Sequence, residues 1–261
     1  MKTKIGIIIS LLVITITMST IIGKNKNAEN LDFILLSSDK FSFSAPSIYF
    51  QESDGQIYNT SIIDFDTLFY SSDTILRVIA GPNTQPRGIM QNKSTIKQVF
   101  SKIDNLEVDD KITIFEPVIK GRRNVISDCS FLPMIEGKEY FVFLNKIGTY
   151  SDNKTFNFSS AIFGKFPAYQ NINIIDIVYK DDLIIDYSDL VNSDFVLFDT
   201  SQLEIQYNEV LLKEPGNTYY LELLSQLKKY NNYKDKIISV ISQVQFDLSG
   251  QSPIIKYNSY P

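Results

Sequence analysis

Between Leu31 and Pro167 apolar and polar residues alternate with a period near two, the pattern of half-buried strands. In FSFSAPSIYF, Phe41 and Phe43, then Ile48 and Phe50, keep that period on either side of Pro46. DTILRVIAG, Asp73–Gly81, reads as a strand that runs into the turn GPNTQPRG. STIKQVFSK, Ser94–Lys102, alternates with Ile96 and Val99 or Phe100 as inward residues. Asp109 and Asp110 make a turn, and KITIFEP follows with Ile112, Ile114 and Glu116 on one parity. After a polar loop, Gly137 opens the strongly apolar strand GKEYFVFLN, and Phe156–Phe166 reads as one further strand ending at Pro167. Short strands separated by turn signals predict a small sandwich or barrel.

The pattern shifts after about Tyr169. NINIIDIVY and DLIIDY are β-branched runs separated by acidic turns, while FVLF and QLEIQYNEVLL read as strands, or as a strand and then a helix. From Thr218 the period becomes helical: Tyr219, Leu221, Leu223, Leu224 and Leu227 fit an amphipathic helix. Asn231 and Asn232 interrupt it, and Ile237, Ile238, Ile241 and Val244 form a second helical set. The tail from Gly250 to Pro261 carries Pro253 and ends loosely. The expected class is mainly β with an α+β extension of strands and one or two helices. Its expected parts are an N-terminal segment over 1–26, a β domain over 27–170 and the extension over 171–261.

The N-terminal segment is of another kind. Lys2 and Lys4 precede an uncharged stretch from Ile5 to Gly23, and Lys24 and Lys26 close it. About 19 residues at roughly 1.5 Å each span about 28 Å, close to the hydrocarbon thickness of a bilayer. It reads as a signal peptide that is removed or as an uncleaved signal anchor. Cleavage wants small residues at the last and third-last positions; Ala28 would put Lys26 there and Gly23 would put Ile21 there, which favours the anchor. A short N-terminal tail normally stays inside, so the remaining chain is expected outside the cytoplasm, at the cell membrane, or secreted if the segment is cleaved.

Composition narrows the function classes. The chain has 261 residues, 44% of them hydrophobic, which excludes a disordered chain. Histidine is absent, removing the commonest zinc ligand, the commonest general base and every histidine-based triad. The only cysteine is Cys129, so no internal disulfide forms, and an exported protein of this kind suits a bacterial envelope. Setting aside Lys2 and Lys4, 23 basic residues face 30 acidic ones, a net charge of −7 that disfavours nucleic acid. No glycine-rich phosphate loop is present, and no cofactor or metal is expected.

Several side chains are candidates for chemistry. Arg122 and Arg123, in a loop between two predicted strands, could hold a carboxylate or phosphate. Lys138 and Lys165 join them only if the fold brings them together. Asp109, Asp110, Asp181, Asp182, Asp186 and Asp189 could offer oxygens to calcium, but the glycine-containing calcium loop is missing and turn formation explains them better. Glu116, Glu136 and Glu139 could supply a carboxylate pair for glycoside hydrolysis. Cys129 reads as a small buried hydrophobe or an exposed thiol. Aromatic residues reach 13%, and tyrosine-rich surfaces bind peptides and glycans well.

The middle of the chain, about residues 60–170, resembles exported bacterial domains with an OB-like barrel of the netrin and tissue-inhibitor-of-metalloproteinases type. The resemblance rests on Pro133, Gly137, Glu139, Tyr140, Phe143 and Leu144, and on Gly164-Lys165-Phe166 as the closing motif. Leu106–Asp110 takes the place of the family's turn without its usual glycine. The resemblance implies an OB-like five-stranded β-barrel. Those inhibitors chelate a metal through a free N-terminal cysteine, which this chain lacks, so that mechanism does not carry over. The expected function is a non-enzymatic binding or assembly module at the cell envelope, with an envelope protein, peptide or glycan as partner. Alternatives are a carboxylate-dependent envelope hydrolase and a secreted inhibitor acting through a loop.

Overall fold

The computed structural model of the protein describes residues 39–43, 62, 64–85, 89–100, 105–120, 124–127, 131–147, 154–179 and 184–259. In chain order these form β1 (Lys40–Phe43), α1 (Phe65–Ser71), β2 (Thr74–Ile79), β3 (Asn83–Thr84), β4 (Met90–Val99), β5 (Lys111–Glu116), β6 (Val118–Lys120) and β7 (Asn124–Ser127). There follow β8 (Glu139–Lys146), β9 (Thr155–Phe158), β10 (Lys165–Pro167), β11 (Asn171–Val178), β12 (Ile184–Asp186) and α2 (Tyr187–Leu190). The chain closes with β13 (Phe195–Asp199), α3 (Ser201–Lys213), α4 (Thr218–Ser249) and β14 (Ile254–Ser259). Among the described residues no helix is long and apolar enough to cross a membrane; the stretch 5–23 lies outside them, as do Ile48 and Phe50.

Five strands close into a mixed barrel. β2 pairs antiparallel with β4 and β4 with β5; β5 runs parallel to β9; β9 pairs antiparallel with β8, and β8 with β2. This closed barrel, with extra strands and C-terminal helices, is compatible with an OB-like fold. Its interior follows strand parity: on β5 Ile112, Ile114 and Glu116 are all buried. β4 starts at Met90, ahead of the expected Ser94, because its inward residues Asn92 and Ser94 are polar and hide the alternation. Asn92 works there as a surrogate backbone. Its Oδ1 accepts from the Gly81 N–H at 3.2 Å and its Nδ2 donates to the Gly81 carbonyl at 3.0 Å. A Cβ on Gly81 would lie 1.8 Å from the Lys93 carbonyl oxygen, so only glycine admits this approach.

The expected single strand Phe156–Phe166 is two strands, β9 and β10, joined by a turn. The Ser160 hydroxyl accepts from the Ile162 and Phe163 N–H groups and caps that turn. Gly164 completes it, since a Cβ there would meet the Ser160 carbonyl oxygen at 2.3 Å and Phe158 Cβ at 2.4 Å. β10 then returns alongside β8. The short helix α1, which the apolar period did not predict, is set by a capping box between Asp64 and Thr67.

Two further sheets surround the barrel. A four-stranded sheet has the order β12-β1-β7-β6, with β1 parallel to β7. A three-stranded parallel sheet has the order β13-β11-β14. QLEIQYNEVLL is helical, within α3, and the tail expected to be loose pairs with β11 as β14. α4 runs unbroken through Asn231 and Asn232 for 32 residues. Tyr230 and Tyr233 flank the two asparagines and are fully buried, and the Tyr230 hydroxyl accepts from the Phe198 N–H at 2.7 Å. Burying two aromatic rings is worth several times the roughly 0.7 kcal/mol helix penalty of an asparagine, so packing overrides propensity.

Gly81→Ala is expected to destabilise the protein by on the order of 3 kcal/mol, because the neighbour that must move is strand backbone. Gly216→Ala, where an added Cβ meets open space, is expected to change stability by less than about 0.5 kcal/mol. Urea unfolding followed by circular dichroism measures both.

Candidate functional site

One end of the barrel carries a buried charged cluster. β5 and β9 finish at this end, and β4 and β8 begin there, with Met90 opposite Glu116 and Ile79 opposite Glu139. The segment Phe131–Ile135 crosses it as an apolar strap. Phe131, Leu132, Pro133 and Met134 are buried, and the Phe131 ring packs 5.3 Å from that of Phe158. The strap is not a strand, so side chains of the barrel and of neighbouring strands bond its backbone. Ser127 Oγ donates to the Phe131 carbonyl and Lys165 Nζ to the Leu132 carbonyl. The Met134 N–H donates to Glu116 Oε2 at 2.9 Å, and Asn83 Nδ2 donates to the Met134 carbonyl at 3.1 Å. The Ile135 N–H donates to the Tyr140 hydroxyl at 3.0 Å. An unpaired buried backbone group costs about 1–3 kcal/mol, so these contacts make the crossing possible.

Glu116 and Lys165 are both buried in this cluster. Burial pushes the Glu116 carboxyl up to about 7, opposed by the Lys165 charge and the Met134 N–H. Burial brings the Lys165 ammonium down to about 8, opposed by Glu116 and Asp194. The ammonium lies 4.5 Å from the Phe131 ring centre and 5.2 Å from that of Tyr140, so aromatic faces share in holding it. Burial also raises the Tyr140 phenol. Glu116 Oε1 is buried with no hydrogen-bond partner among the described residues.

The expected binding residues fall into two groups. Lys165 is in the cluster, and Lys138 is near enough for its charge to help depress the Lys165 ammonium. Lys138 is half-buried, 5.5 Å over the Tyr169 ring, whose hydroxyl bonds Asp194. Arg122 and Arg123 lie outside the described residues, as do Cys129, Asp181 and Asp182. The three candidate glutamates take different roles. Glu116 is internal, Glu136 is exposed, and Glu139 receives Arg77 Nε at 2.7 Å. Of the candidate calcium ligands, Asp109 adopts φ 70 in a turn, Asp110 pairs with Lys154 at 2.8 Å and Asp186 pairs with Lys40. Asn83, Tyr169 and Asp194 were missed, since a single polar residue in a turn carries no periodic signal.

The outer face of the four-stranded sheet is the second notable feature. Ile184 on β12 pairs with Ser42 on β1, Ser42 with Ile126 on β7, and Ile126 with Ile119 on β6, so the four lie in one row. Ile184, Ile126 and Ile119 are 61%, 52% and 48% exposed, whereas Phe41, Val125, Ile185 and Val118 on the opposite face are buried.

The pH dependence of the cluster has a definite sign. Glu116 titrates near 4.5 unfolded and about 7 folded, so its contribution is full below 4.5 and is lost as pH rises to 7. Lys165 titrates near 10.5 unfolded and about 8 folded, so its contribution is full above 10.5 and is lost as pH falls to 8. The stability difference between wild type and Glu116→Gln/Lys165→Met is therefore expected to be lowest between pH 7 and 8 and to rise on both sides. Each limb amounts to on the order of 3 kcal/mol, at about 1.4 kcal/mol per pKa unit, measured by urea unfolding across pH. In Lys165→Met alone the Glu116 carboxyl is expected to titrate higher still, which carboxyl-carbon NMR reads directly. The chain matches no protein-family model and no curated protein sequence.

Proposed function

We propose that the protein is a membrane-anchored, extracytoplasmic binding or assembly module of the cell envelope. The carrying observation is the row Ile184-Ser42-Ile126-Ile119, exposed on one face of a sheet whose other face is core. Exposed apolar surface of this regularity marks an interaction site. β6 and β7 are joined in sequence by Gly121-Arg122-Arg123, two basic residues of the kind that bind a carboxylate or phosphate group. The buried charges of the barrel support the same reading, because Glu116 and Lys165 both bond the strap. The barrel is consistent with the netrin and tissue-inhibitor resemblance: Pro133 lies in the strap, Gly137 in the turn before β8, and Lys165 and Phe166 in β10.

A carboxylate hydrolase is the second reading, favoured by a Glu116 carboxyl held near neutrality. It requires the strap to release Glu116, and Glu139 is engaged by Arg77.

A photo-crosslinking residue at Ile126 of the full-length protein, expressed in cells, tests the binding module. The expected result is a reproducible envelope adduct that is lost in Arg122→Ala/Arg123→Ala and absent when the crosslinker replaces Glu209 on α3. No adduct above an anchor-only control would count against it.

A further inference from the structure

We infer that a second copy of this chain adds its C-terminal strand β14 antiparallel to β14, so that two three-stranded sheets join across a two-fold axis. This goes beyond the proposed function and does not depend on the isoleucine row. The first argument is which strand edge is left open. Native proteins blunt free edges by shortness, proline, bulges or a cover. Here β3, β6, β10 and β12 have only two or three residues. On β13 the outward Phe198 N–H donates to the Tyr230 hydroxyl at 2.7 Å, and the Phe198 carbonyl accepts from Lys234 Nζ at 3.2 Å. β14 is the other end strand of that sheet, six residues long and paired with β11 without a register shift. The Ile254 N–H donates to the Gln170 carbonyl at 2.7 Å, so Ile254, Lys256 and Asn258 turn their backbone groups toward β11. By alternation Ile255, Tyr257 and Ser259 turn theirs away, and among the described residues no backbone group bonds them.

The second argument is that the edge fits itself in one register. In a two-fold pair, outward-bonding residues must face outward-bonding residues. An axis at Ile255 sets Pro253, which has no N–H, opposite Tyr257. An axis at Lys256 sets two ammonium groups against each other, which is unfavourable. An axis at Asn258 sets Pro261 opposite Ile255. An axis at Tyr257 pairs Ile255 with Ser259 and Lys256 with Asn258, and incurs none of these costs. Lys256 and Asn258 are both exposed, on the face away from Ile255, which packs on the core. The single charge on the strand therefore selects the register without blocking the pairing.

Sedimentation equilibrium of the full-length protein in density-matched detergent tests the pairing. The wild type is expected to show a monomer–dimer equilibrium. In the derived register Lys256 and Asn258 lie about 4.5 Å apart between Cα atoms, twice per dimer. Asn258→Lys opposes like charges there and is expected to raise the dissociation constant about tenfold, and Asn258→Glu to lower it by a similar factor. In a chain of net charge −5, general repulsion would order the two variants the other way. Lys256→Glu/Asn258→Lys restores unlike pairs and is expected to match Asn258→Glu. Hydrogen exchange read by NMR is the second measurement. The Ile255 and Tyr257 amides are expected to gain protection as protein concentration rises, while Lys256 and Asn258 are protected throughout. A protein that stays monomeric overturns the inference. A dimer indifferent to both Asn258 variants also overturns it, because the contact then lies on another surface. Ile255 and Tyr257 amides already protected in the monomer overturn it as well, because the edge is then covered within the chain.

Discussion

The hydrogen bond from the Met134 N–H to the buried Glu116 carboxylate is the constraint on which this architecture turns. Glu116 sits at the last position of β5, in register with Ile112 and Ile114, so it faces inward by the period of the strand. A lone carboxylate there would be untenable. Its cost is met by the Met134 N–H and by Lys165, which returns from the outer strand β10. Both charged groups in turn bond the strap, and the strap lets apolar residues cover the barrel end without stranding peptide groups. Strand register, charge burial and end closure are thus one problem with one solution.

Much of the barrel was legible in the residues because strand alternation is a local signal. Ile112, Ile114 and Glu116 share a parity in the sequence and a burial in the fold. β2 and β8 likewise occupy the expected segments. Misreadings occurred where tertiary context outweighs local pattern. Asn92 and Ser94 face inward on β4 because Gly81 lies close enough to bond them into a network. α4 crosses two asparagines because tyrosines on either side are buried against the sheet. β14 packs Ile255 against the core and is held along its length by pairing with β11. The lysine that compensates Glu116 lies 49 positions away in sequence, and only the path of β10 reveals the partnership.

The interior and the exterior divide the chemistry between them. Inside, titratable groups serve the geometry of the strap, with a carboxyl and an ammonium whose folded values approach neutrality from opposite sides. Outside, a sheet with one core face presents a strip of isoleucines on the other. A fold of this type does not prescribe a task, and the proposed task rests on the surface.

Native-state hydrogen exchange at Met134 and Ile135 tests the central claim most directly. Among the described residues neither amide has a backbone acceptor; each is held by a barrel side chain, Glu116 or Tyr140. The account predicts that at neutral pH both exchange as slowly as the amides of β5, opening only with the barrel itself. Exchange at the rate of an open loop, while β5 stays protected, would contradict it.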